Sequence, residues 1–485
     1  MILAASAFSP LRTWANAGEN PNLLTLAFAF AVIAAFGVAV WQLLRWVGLD
    51  SSGANYATAV FVLSVTNTGV LVDRYPFGQL IFVAASGVLA AFVYRLRDVG
   101  LMRVLLAWAA FVAIAFPMIT IFERSGGGND LRVEAEADLV VSSLISTPDI
   151  VVVVLDAYGS TDVLEQFYGY DNATFLTELE QQGFAAEGVA LANYARTTLS
   201  VPSVLQLGYV AEETPVSRSD IDALLRVMSG ESNLVHALRD HGYRHVYVEP
   251  GWLGARCGTM VDICVGAPWP DETFYDVAYR SALRGIPGLE VGRSFTEGVL
   301  RGLDWLHSDL ATYLVDDQPD LVYVHLLAPH PPLFLDEQCR PDWRGGVTGF
   351  AIGRPEMSED ELAVARDRYI DQVECVNSVL LRAAEKLGAD DVVLMFGDHG
   401  PDSTGQLFRA GTEWSEEQRR ERFGSFYAAR VPGCDMSEIG SLVNLGRRML
   451  SCLSGDELPD LPTFIYDMQR SPEGSRITQL ELPKG

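Results

Sequence analysis

Four apolar segments crowd into the first 125 residues, and they constrain the fold more than any other feature of the chain. Leu23–Leu44 carries no charged residue and, at 1.5 Å per residue, is long enough to cross a hydrocarbon core of about 30 Å. Ala57–Val72, Phe77–Tyr94 and Val104–Phe122 follow, separated by short polar loops and almost free of internal charge. Core helices of a soluble domain do not recur in this way, and a secretory signal peptide ends at a cleavage site instead of being followed by three more apolar runs. The pattern predicts a helical transmembrane bundle over residues 1–124 with about four spanning helices.

Charge divides the chain at the same place. Residues 1–125 hold seven Arg and five acids, a net of +2. The 485-residue chain as a whole has 35 Lys+Arg against 62 Asp+Glu, a net of −27, so the remainder carries about −29. Such a balance excludes a general nucleic-acid binder, which needs cations to displace counterions from phosphates. A hydrophobic fraction of 49% with 9 Trp, 17 Tyr and 23 Phe likewise excludes a mainly disordered chain. Arg95, Arg97 and Arg103 form the densest basic cluster and sit in a short loop, where positive charge is retained in the cytoplasm. The N-terminus and the acidic domain then lie outside, as in a multi-pass inner-membrane protein with an extracytoplasmic domain. All six Cys fall in the acidic part. Cys257–Cys264 and Cys434–Cys452 are the short-range disulfide candidates, with buried thiols or a metal site as the other reading; no CxxC pair supports structural zinc.

Ser125–Asp130 (SGGGND) opens a linker that spans residues 125–148 and includes the acidic stretch to Asp138. From residue 149 to 485 strands and helices alternate, which predicts an α/β sandwich. Ile150–Leu155 (IVVVVL) reads as a strand buried on both faces of a parallel sheet. His245–Val248, Leu321–Leu327 and Asp391–Phe396 are further strands. Helices are expected over Asn233–His241, stopped by Gly242, and around Arg366–Leu387. Three of the strands run directly into chemistry-bearing residues: Asp156, then His325 and His330, then Asp398 and His399. Ligand sites of open α/β sheets lie beyond the carboxyl ends of the strands, and a chain with only seven His places three of them there. Gly397-Asp398-His399-Gly400 fits a metal better than a core, because burying both groups unpaired is costly. His236, His241, His245 and His307 read as structural.

LeuAspAlaTyrGly at 155–159, ThrThrLeuSerValProSer at 197–203 and GlyAspHisGly at 397–400 together resemble the sulfatase branch of the alkaline phosphatase superfamily. The likeness extends over about 150–470 and is strongest to membrane-bound members such as lipoteichoic acid synthases and lipid A phosphoethanolamine transferases. It implies a sulfatase-like α/β domain with a mostly parallel central sheet. It also implies a metal set of Asp156, Thr197, Asp398 and His399, holding one or two divalent ions. Zn²⁺ or Mn²⁺ suits these ligands best, with Mg²⁺ and Ca²⁺ also compatible. Thr197 aligns with the nucleophile of the transferases. Ser200 is the alternative nucleophile if the sulfatase pattern applies, although position 204 is Val where that pattern has Arg; Thr198 is a third option. His330, and less directly His325, would contact substrate. No His occurs between 400 and 485, where some lipid A transferases carry one more. The function implied is a phosphotransferase acting on lipid or envelope glycan and phosphate-ester substrates. The alternatives are a phosphodiesterase or Ser/Thr-type sulfatase, or a catalytically silent envelope scaffold.

Overall fold

The computed structural model describes residues 1–16, 22–67, 78–96, 100–126, 141–186, 189–210, 215–252, 254–267, 269–281, 293–314, 318–342, 352–353, 357–471 and 474–483. Contacts divide the chain into two units, Met1–Gly128 with Pro268–Phe295 and Asn129–Ala267 with Thr296–Gly485. Most of the expected linker, including Arg132 and Asp138, lies outside the described residues, as does Arg97.

The first unit is helical: Ile2–Asn16, Leu23–Trp46, Ser51–Val65, Gly78–Leu96 and Gly100–Gly126, joined by Glu272–Arg280 from later in the chain. Among the described residues, Leu23–Trp46 and Val104–Ile121 are long and apolar enough to cross a membrane, and Val83–Leu96 is a shorter apolar helix. The second expected segment, Ala57–Val72, starts earlier than its apolar run because Asp50 caps the helix, its Oδ1 accepting Gly53 N at 2.8 Å. Residues 68–72 of that segment fall outside the described ones. Large apolar side chains stand exposed along this unit, with Leu24 at 83%, Val88 at 71% and Phe116 at 70%, a surface that water does not tolerate over such an extent.

The second unit is built on one six-stranded sheet. Its strands in chain order are β1 (Ile150–Leu155), β2 (Arg244–Val248), β3 (Ile263–Val265), β4 (Asp320–Leu326), β5 (Val392–Gly397) and β6 (Tyr427–Arg430), and their order across the sheet is β3-β2-β4-β1-β5-β6. All neighbours pair in parallel except β6, which runs antiparallel to β5. β1 is buried along its whole length, as a β-branched strand flanked on both sides must be. β2 and β4 each begin one residue before their apolar runs because Arg244 and Asp320 face one another in the register. Their side chains form a fork of two hydrogen bonds, both 2.7 Å. Short β3 and the antiparallel β6 carry too little pattern to be read from sequence, as does the hairpin Ile465–Ser471/Gly474–Leu480.

Two helix ends follow their local chemistry. Gly242, at φ +89°, closes the Asn233–Arg239 helix: Gly242 N donates to Arg239 O and Tyr243 N to Leu238 O, the paired bonds of a Schellman motif. The helix expected around Arg366–Leu387 spans Glu359–Ala384, starting a full turn and more earlier at the Ser358/Glu361 capping box. The helix Thr197–Leu205 buries Val201, Val204 and Leu205 in the same core as Val152, Val154, Leu394 and Phe396 of the central strands. That packing fixes where its first residue, Thr197, lies.

Cys257–Cys264 and Cys434–Cys452 are disulfides, and a third bond joins Cys339 to Cys375 with Cα atoms 5.0 Å apart. The third ties the segment after β4 to the Glu359–Ala384 helix, a pairing across 36 residues that no local spacing reveals. Peptide mapping of the unreduced, full-length protein should recover these three cross-links; free thiols at Cys339 and Cys375 would contradict the structure.

Candidate active site

The register of the sheet sets the level of the site. Leu155 pairs with Leu326 on one side and Gly397 on the other, so the next residues of β1 and β5, Asp156 and Asp398, leave the sheet together. The ladder continues one step past the strands, with Asp156 N donating to Leu326 O at 3.0 Å and Asp398 N to Leu155 O at 3.2 Å. The chain then turns sharply at Ala157, whose φ of +60° is uncommon for a residue with a Cβ. Tyr369 clamps that turn, its hydroxyl donating to Ala157 O at 2.7 Å and accepting Gly159 N at 3.1 Å. Ala157 N in turn donates to Asp398 Oδ1 at 2.9 Å, as does His399 N. Past His399 the backbone passes so close to its neighbours that a Cβ on Gly400 would sit 1.9 Å from Glu421 O.

Asp156, Asp398 and His399 offer three ligand atoms within 4.8 Å of one another, all buried. Asp156 Oδ1 and Asp398 Oδ2 have no hydrogen-bond partner. Burial pushes the Asp156 carboxyl up to about 7, with Arg422 opposing. Burial, reinforced by Asp156, pushes Asp398 up to about 8. The His399 ring is held well below its ordinary range by burial and by Arg422, so it is neutral. Its Nδ1 lies 3.1 Å from Gly400 O, which makes Nδ1 the donor and leaves the lone pair on Nε2. Orphaned carboxylate oxygens and an imidazole lone pair facing one another are a donor set that fits a divalent cation.

Thr197 joins this group. Its hydroxyl is 3.1 Å from His399 Nε2. Ser200, one turn into the same helix, is buried and donates to Asp398 O at 2.5 Å. His330 sits within the field of Arg422, Asp398 and Asp402; burial pushes it down to about 4, and Nδ1 meets Pro331 O at 2.5 Å. His325 is placed differently: it is buried in β4, both ring nitrogens lack partners, and burial pushes it down to about 3.

Arg422 is a site residue that the sequence did not reveal. It lies in the helix Glu416–Phe423, whose run of charges reads as a solvated face, yet its side chain is buried. Nε and Nη2 donate to Ala195 O at 2.9 and 2.7 Å, Nη1 donates to Gly400 O at 2.8 Å, and Nη2 approaches His399 Nε2 at 3.0 Å. One guanidinium thus braces the segment leading to Thr197 against the segment leaving His399.

The profile of the Sulfatase family matches residues 148–423. No curated protein matches the sequence. Among solved structures, the C-terminal periplasmic domain of EptC from Escherichia coli, in complex with Zn, is 15% identical; the alignment covers 66% of this chain and 90% of that one, at a TM-score of 0.41. Lipooligosaccharide phosphoethanolamine transferase A from Neisseria meningitidis, an integral membrane protein, is 12% identical over 94% of this chain and 93% of its own, at a TM-score of 0.38.

Arg422→Ala would leave Ala195 O unpaired, take from Gly400 O one of its two donors and remove a buried cation, so denaturant unfolding should show a loss on the order of 3 kcal/mol. Arg422→Lys should recover only part, since an ammonium cannot fork between the two carbonyls. An Arg422→Ala protein as stable as the wild type would show that the guanidinium does not hold the two segments.

Proposed function

The chain belongs to the sulfatase family, and on that premise we propose that it is a membrane-anchored, metal-dependent phosphotransferase with Thr197 as its nucleophile. Enzymes of this family act on sulfate and phosphate esters, and this chain is one of them. The group moved would be a phosphoryl-linked head group, taken from a lipid or other ester donor and passed to an alcohol of the cell envelope. The observation that carries the reading is the contrast between two hydroxyls of one helix. Thr197 Oγ1 faces the lone pair of His399 beside two carboxyls that each keep one oxygen without a partner, whereas Ser200 Oγ is committed to a backbone carbonyl.

Asp156, Asp398, His399 and Thr197 would hold the metal ion, and their oxygen and nitrogen donors suit Zn²⁺ or Mn²⁺. A bound ion would lower the pKa of the Thr197 hydroxyl so that it attacks as an alkoxide, and would polarise a phosphoryl oxygen. Thr197 Oγ1 forms a bond to phosphorus as the bond from phosphorus to the donor's oxygen breaks. The incoming alcohol then displaces Thr197, restoring its hydroxyl. His330 is neutral in the free site, and an anionic ester beside it raises its affinity for a proton. It can therefore give a proton to the departing oxygen in the first half-reaction and take one from the incoming alcohol in the second.

The exposed apolar faces of the helical unit and its two span-length helices support a multi-pass inner-membrane protein. Three disulfides in the other unit support an extracytoplasmic location for the catalytic domain over 149–485.

Thr197→Ala should lower turnover of a chromogenic phosphodiester by about a thousandfold or more, and abolish the phosphoryl adduct on the peptide containing residue 197. Ser200→Ala should lose about 1 kcal/mol of stability with its hydrogen bond and keep most activity. The reverse pattern would make Ser200 the nucleophile and shift the function toward ester hydrolysis.

Metal binding should depend on pH with a defined sign. Both carboxyls bind protons more tightly than usual in the metal-free site, and the metal must displace them. Affinity measured by titration of metal-stripped protein should therefore rise with pH and level off above about 8, where Asp398 is already ionised. Asp398→Ala and His399→Ala should each lower the bound-metal stoichiometry, and full occupancy in both variants would refute the assignment.

A further inference from the structure

The helical unit contains an apolar cavity that the proposed chemistry does not use. It encloses about 280 Å³, with Phe28, Val32 and Phe36 of Leu23–Trp46 on one wall and Phe274, Val277 and Ala278 of Glu272–Arg280 on another. Two of its hydroxyls are spent on backbone carbonyls, Thr66 Oγ1 on Val62 O at 2.8 Å and Ser281 Oγ on Ala278 O at 2.7 Å. Ser9 also lines it, and its hydroxyl has no partner. Walls of this kind do not hold water, which needs several polar partners, but do accept hydrocarbon.

The surroundings specify the source of that hydrocarbon. Phe28, Val32 and Phe36 are 46%, 50% and 43% exposed on a helix of spanning length, so the cavity shares a wall with whatever surrounds that helix. Phe274, Val277, Ala278 and Ser281 recur at helical spacing on one face, while Glu272, Asp276 and Arg280, four residues apart, fall on another, the pattern of a helix lying along an interface. Asp271 fixes that helix to the start of the long one. Its Oδ1 accepts Phe274 N at 3.0 Å, and its Oδ2 accepts Asn22 Nδ2 at 2.7 Å and Thr25 Oγ1 at 3.2 Å. Beside this polar junction stands Trp269, 58% exposed, its ring edge-on to Phe28 at 5.5 Å. An exposed Trp between a polar cap and an apolar wall marks a water–hydrocarbon boundary.

We propose that this cavity takes one hydrocarbon chain of a membrane phospholipid, with Glu272–Arg280 lying at the membrane surface. The proposal rests on the reading that Leu23–Trp46 spans the membrane, and it adds a lipid site remote in sequence from every residue assigned to the chemistry.

The test uses the full-length protein in phosphatidylethanolamine–phosphatidylglycerol vesicles containing a phospholipid with a diazirine in its acyl chain. After irradiation, adducts should be severalfold denser on the peptides covering 28–36 and 274–281 than on Val104–Ile121. Ala278→Trp and, separately, Ala29→Phe should fill the cavity and lower the first set without changing the second. Adducts spread evenly over all apolar helices of the wild-type protein, or unmoved by either substitution in a variant that still labels Val104–Ile121, would overturn the proposal. Failure of either variant to fold leaves the wild-type ratio to decide. No adducts anywhere would overturn the membrane-spanning reading itself.

Discussion

Two carboxyl groups buried side by side, each with an oxygen that nothing satisfies, are the constraint on which the rest of this site depends. Burial raises the proton affinity of both, and the neighbouring Asp156 raises that of Asp398 further. The fold compensates only in part. Two backbone N–H groups serve Asp398 Oδ1, and the turn that supplies one of them needs a left-handed alanine held by Tyr369. Nothing equivalent serves Asp156 Oδ1 or Asp398 Oδ2. The remaining deficit is a local demand for positive charge.

Arg422 does not meet that demand, although its guanidinium is the cation that acts on both carboxyls. Three of its hydrogen bonds go to the carbonyls of Ala195 and Gly400, which fix its plane and keep it beside His399. It acts as a strut between two loops while its charge softens the repulsion from a fixed position. Thr197 opens the Thr197–Leu205 helix, and the N-terminal end of a helix favours negative charge.

Much of this was legible in the sequence where one residue type leaves few options. A run such as Ile150–Leu155 fits only a doubly buried strand, and Asp156, Asp398 and His399 directly follow such strands, so their convergence followed from topology. Two candidate hydroxyls stayed open in the sequence, because Thr197 and Ser200 lie one helical turn apart and only side-chain direction separates them. Arg422 was illegible: in Glu416–Phe423 an exposed and a buried arginine look alike until the helix is oriented. The Cys339–Cys375 bond and the association of Glu272–Arg280 with the N-terminal helices were hidden for a related reason, since both depend on contacts between segments far apart in the chain.

Those distant contacts also set an order of assembly. Ala157 meets Asp398 across 241 residues, and Arg422 meets Ala195 across 227. β1 is made early but finds neither neighbour until β4 and then β5 have been synthesised. Loop closure over such spans is slow and is rewarded only when the last partner arrives. A ribosome-bound chain ending between Asp398 and the Glu416–Phe423 helix therefore has both carboxylates but no brace between the segments on either side of the site. The guanidinium that ties the Thr197 segment to the His399 segment is thus one of the last parts of the site to be made.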